Sequence, residues 1–96
     1  MLKIVILPHA ETILIETAMW YKMNLGNKGR EQFVKGILSA IRMLATFPGL
    51  GRIMTNQSTD DVVVRSYTEH RNHQIIYYCD NETLFVADIW STRMKQ

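Results

Sequence analysis

Ninety-six residues, 47% apolar and 21% charged, describe one ordinary globular domain spanning 1–96, neither a disordered chain nor a membrane-spanning one. The net charge of +2 is too small to announce a general nucleic-acid binder; residues 1–48 hold six Lys or Arg against three Glu, and residues 49–96 hold five against six Asp or Glu. Cys79 stands alone, which excludes an internal disulfide and suits the reducing cytoplasm, while Glu11, Glu16 and Lys22 interrupt the apolar stretches too often for a membrane span.

Lys3 to Leu7 is β-branched and ends at Pro8, the pattern of a short strand. Ala10, Leu14, Thr17, Ala18 and Tyr21 then mark one stripe of a helix reaching about Leu25. Ile13, Ile15, Met19, Trp20 and Met23 carry the apolar surface further around that helix than a domain of this size needs, which leaves some of it for a partner. Asn24 to Gly29 is a cluster of helix breakers, expected to form the turn of a helical hairpin. The second helix runs from about Arg30 to Thr46 on the core stripe Phe33, Ile37, Ile41 and Leu44. Phe47-Pro48-Gly49-Leu50-Gly51-Arg52 closes it, the glycines being assigned to the helix stop and turn. After the polar loop Gln57–Asp60, strands are expected at Val62–Tyr67, Gln74–Cys79 and Leu84–Trp90, joined by turns at 69–72 and 80–83. The expected fold is α+β with order β-α-α-β-β-β, the hairpin packed on a mainly antiparallel four-stranded sheet.

No metal site is expected: in a strand the three-residue spacing of His70 and His73 points them to opposite faces, and no zinc-type Cys/His spacing exists. No phosphate loop or cofactor motif occurs, and Cys79 suits a small buried hydrophobe better than a nucleophile. The chemistry-bearing group is the spread of Arg52, Arg65, Arg71, Arg93 and Lys95 among Tyr67, Tyr77, Tyr78, His70 and His73. Metal-free cleavage of RNA through its 2′-hydroxyl needs a base, an acid and cations, which these residue types can supply. The same types also serve plain phosphate or carboxylate recognition, or merely keep sheet edges soluble.

Over nearly its whole length the sequence resembles the RelE/ParE toxin superfamily of type II toxin–antitoxin modules. The resemblance rests on Ala10 and Leu14, on Pro48-Gly49-Leu50-Gly51-Arg52 as a Pro-x-x-Gly-Arg signature, on Arg65, on Ile75-Ile76-Tyr77, and on the run Ile89 to Met94 containing Arg93. The junction and the Arg-Met ending lean towards the ParE branch, plasmid-stabilisation toxins whose members poison DNA gyrase. Gln74 stands where the nuclease branch carries an Arg, and Ser91 where many ParE members carry a His.

The resemblance implies a cytoplasmic toxin that inhibits gyrase through Arg65, Arg71, Trp90 and Arg93, without a cofactor, and is neutralised by a cognate antitoxin. The antitoxin would dock on Ile13, Met19, Trp20 and Met23. The assembly would be a homodimer or a toxin–antitoxin hetero-oligomer. The alternative is a ribosome-dependent mRNA endonuclease using Arg65, His70, Arg71, His73, Tyr77 and Arg93. A second alternative is a degenerate member that only binds its antitoxin.

Overall fold

The computed structural model describes residues 1–69 and 72–91. The chain opens with strand β1 (Lys3–Ile6), and Leu7 still donates its N–H to Val86 O at 2.9 Å before the backbone enters helix α1 (Pro8–Thr46). Pro8 suits the first helical turn because its missing N–H would be unpaired there anyway. Glu11 adds a carboxylate at the positive end of the helix dipole.

The expected pair of helices joined by a six-residue loop is corrected to one helical span. Only Gly26 leaves helical geometry, at φ 76° and ψ −176°, a conformation that glycine adopts without a Cβ penalty. Asn24 instead caps inward, its side-chain amide donating to Trp20 O at 2.8 Å. The single-residue bend is sharp. A straight helix of 39 residues would be roughly 58 Å long, yet the molecule's longest dimension is 42 Å. Leu2 N–H also donates to Ala45 O at 2.9 Å, which brings the end of the span beside the residues that precede its start. Across the bend, a Cβ on Gly29 would sit 2.5 Å from Leu25 Cβ, so this breaker serves close packing, not a loop.

Helix α1 stops where Phe47 turns to φ −128° and ψ 74°, its N–H still donating to Met43 O at 2.8 Å. Pro48 cannot extend the helix, and Pro48–Leu50 forms a 3-10 turn instead. Neither Gly49 nor Gly51 has a positive φ, so the proline, and not the glycines, ends the helix.

Four more strands follow: β2 (Arg52–Ile53), β3 (Arg65–Glu69), β4 (His73–Cys79) and β5 (Thr83–Ser91). They form a mixed five-stranded sheet in the order β1-β5-β4-β3-β2, in which β1 runs parallel to β5 and every other pair is antiparallel. The four-stranded expectation missed β2, which is two residues long and exists through its pairing with β3. Val62–Val64 is not strand: Ser58 Oγ accepts from Val64 N and donates to Met54 O, replacing ladder bonds there.

The sheet packs against α1 through Ile75, Tyr77, Leu84, Val86 and Ile89. From the helix come Ala10, Thr17 and Tyr21 before the bend, and Phe33, Ile37, Ile41 and Leu44 after it. The expected stripe at Phe33, Ile37, Ile41 and Leu44 is thus the core. At roughly 25 cal/mol per Å² of apolar area, each of these larger side chains contributes about 1.5–3 kcal/mol by leaving water. Strand β5 carries a bulge: Ile76 pairs with Asp88 but Tyr77 with Val86, which leaves Ala87 as the extra residue. Without it Asp88 would follow Leu84 and Val86 into the core; with it, Ile89 takes that place and Asp88 stays partly exposed.

Candidate interaction site

The residues selected from sequence fall into three surroundings. The first lies under the junction between helix and sheet. Tyr77 is fully buried, its hydroxyl donating to Pro48 O at 2.7 Å and accepting from Gly51 N–H at 2.8 Å. A Cβ on Gly51 would lie 2.5 Å from that oxygen and 2.7 Å from the ring, so only glycine lets the backbone come so close. Arg65 donates to Gly51 O at 2.8 Å and lies 3.4 Å from Gly49 O. Burial pushes the Tyr77 phenol above its ordinary value of 10.0, against the opposing pull of the Gly51 hydrogen bond and the Arg65 charge. Burial likewise raises the thiol of Cys79. This corner therefore holds a neutral phenol, a protonated thiol and a guanidinium directed to backbone carbonyls. It secures the junction and offers no general base.

The second surrounding lies where β3 and β4 meet the bend of α1. Sequence assigned His73 to an exposed strand or turn; it is 96% buried, being 4% exposed. Its Nε2 is hydrogen-bonded to Tyr21 Oη at 3.0 Å and its Nδ1 lies 3.4 Å from Glu69 Oε1. The rings of Tyr21 and Phe33 stack at 4.8 Å, and Phe33 lies 4.9 Å from the imidazole. Gly36 makes room for the buried carboxylate, since a Cβ there would sit 2.7 Å from Glu69 Oε2. Glu69 and Tyr21 escaped the sequence reading because their partners are distant in the chain, as the 52-residue separation of Tyr21 and His73 shows.

The third surrounding is the end of β5 beside the start of α1. Asp88 Oδ2 accepts from Trp90 Nε1 at 2.8 Å, and Asp88 Oδ1 accepts from Ile89 N–H at 2.8 Å and pairs with His9 Nε2 at 3.2 Å. A cleft of about 370 Å³ opens here, lined by His9, Ile13, Glu16, Thr17, Asp88, Ile89, Trp90 and Ser91. Of the target-binding set only Trp90 reaches it; Arg65 belongs to the junction. Arg71, Arg93, His70 and Lys95 lie outside the described residues.

On the outer face of α1, Ile15, Met19 and Met23 recur every four residues and are 60%, 59% and 82% exposed. Ile13 and Trp20, which the sequence grouped with Met19 and Met23, are partly buried against the core. The four-residue spacing from Ile15 would have separated the outer stripe from the inner one. Among the described residues no three His, Cys, Asp or Glu side chains converge as metal ligands, and no helix is long and apolar enough to cross a membrane.

The fold is RelE/ParE-like. It superposes on a chain of a solved structure described as the chromosomal ParDE TA system from P. aeruginosa with a TM-score of 0.76, covering 95% of this chain and 96% of that one at 15% identity. A comparison with curated protein sequences gives no match. A family profile described as the ParE toxin of the type II toxin–antitoxin system parDE matches residues 4–96, and the chain belongs to that family.

Proposed function

We propose that this chain, as one toxin domain, inhibits DNA gyrase by protein contact and is held inactive by a cognate ParD-type antitoxin. The observation that carries the proposal is the ParE family match over residues 4–96. The structural neighbour, itself described as a ParDE system, supports the pairing with an antitoxin. Target contact is assigned to Trp90 together with Arg71 and Arg93, whereas Arg65 positions the junction. The antitoxin is assigned to Met19 and Met23, extended by Ile15, with Ile13 and Trp20 supporting that face from beneath.

Burial weighs against the nuclease alternative. A transition-state group must come within about 3 Å of the reacting phosphate or hydroxyl, and Tyr77 and His73 are closed off inside the core. Purified toxin should therefore inhibit gyrase supercoiling and leave mRNA intact on translating ribosomes. Cleaved mRNA with unimpaired gyrase overturns the proposal, and absence of any growth defect without the antitoxin points to a member that only binds.

A further inference from the structure

We infer that the cleft between the start of α1 and the end of β5 receives an arginine side chain from a protein partner. Three independent features of the cleft converge on a guanidinium. The walls are acidic, with Glu16 from the helix and Asp88 from the strand, in a chain whose overall charge is positive. The Asp88 carboxylate is held in place by Trp90 Nε1–H and Ile89 N–H, so it is oriented before any partner arrives. Ser91 Oγ is buried at the cleft and has no hydrogen-bond partner, an acceptor waiting for a donor.

The geometry favours arginine over a compact ammonium. A guanidinium has five donors in one plane, enough to meet a carboxylate and a hydroxyl together, and its flat face suits an indole wall. Ile13 and Ile89 line the cleft and suit the aliphatic stem. His9, itself 66% exposed, is the local cation-capable group now beside Asp88; an entering guanidinium displaces it into solvent. The bulge at Ala87 gives the arrangement its cause, since it holds Asp88 out of the core and at the cleft. The inference rests on the cleft alone and does not depend on gyrase being the target.

The test uses the purified full-length chain and N-acetyl-arginine amide, followed through the indole N–H signals of Trp90 and Trp20 in proton–nitrogen NMR. N-acetyl-citrulline amide, the neutral isostere, is the control. We expect a saturable shift of the Trp90 signal with a Kd on the order of a millimolar, as suits so small a ligand, while Trp20 stays put and citrulline moves neither. Glu16→Gln, an exposed helix-surface change that leaves the fold intact, should weaken the arginine response about tenfold. Equal responses to arginine and citrulline, or no Trp90 response, overturn the assignment. A Trp90 shift in the Arg93→Ala chain before any probe is added would mean that the chain fills its own cleft, and also overturns it.

Discussion

The junction under Tyr77 and the cleft beside Trp90 are built from the same kinds of residue and put them to opposite use. At the junction an aromatic hydroxyl and an arginine face inward and meet backbone groups of the Pro48–Gly51 turn. At the cleft an indole and a carboxylate hold each other at the surface, beside a partly exposed histidine. A chemically capable side chain is therefore not yet a functional one. What separates the two regions is whether the polar atoms are already used by the fold, and that comparison moves the functional weight from the middle of the sheet to the end of β5.

Substitutions should break the junction first. Gly51→Ala drives a methyl group into a ring with no room to retreat, and should cost about 3 kcal/mol in chemical denaturation, with the Pro48–Leu50 turn displaced. Tyr77→Phe keeps the ring but strands Pro48 O and Gly51 N–H, for a loss of about 1–3 kcal/mol. The wild-type phenol is raised in the folded state, so its contribution is fully present below the unfolded value near 10 and is lost as pH rises through the folded one. Tyr77→Phe should accordingly flatten the alkaline limb of the stability profile; an unchanged limb would deny Tyr77 that role.

Smaller effects test regions outside the lock. Asp80 Oδ1 accepts from the N–H groups of Glu82 and Thr83 at 2.8 Å each, which holds its carboxyl below the ordinary value of 3.8. Its support of the β4–β5 turn is present above the unfolded value and disappears as pH falls through the folded one. Asp80→Ala should remove that acid dependence and change neutral-pH stability less than either junction variant. Met19→Lys on the outer stripe should alter stability by no more than about 0.5 kcal/mol, because the side chain is already exposed. It should nevertheless abolish protection by the antitoxin on co-expression. Protection equal to wild type would remove the stripe from the antitoxin's footprint.

Local pattern made much of this architecture legible. The stripe Phe33, Ile37, Ile41 and Leu44 announces its burial through helical spacing alone, and β4 and β5 follow from β-branched runs with a turn at 80–83. What escaped depends on contacts between distant residues. Gly51 looked like helix punctuation because the ring it admits is 26 residues away. His73 and Tyr77 looked reactive because residue type carries no information about burial. Asp88 drew no attention because a strand pattern does not reveal a bulge, and the bulge decides where its carboxylate goes. Asn24 to Gly29 misled differently: a run of breakers produced a bend of one residue, since packing across it outweighs weak local preferences.

The parallel pairing of β1 with β5 has a consequence for how the protein is made. Residues 3–6 leave the ribosome among the first, but their only strand neighbour is residues 83–86. Strand β5 is also the partner of β4, so two ladders wait on one late segment. At roughly 5–20 residues per second of synthesis, β1 stays unpaired for several seconds or more. The nascent chain thus acquires its sheet late and nearly all at once, and a product truncated before Thr83 has no way to assemble it.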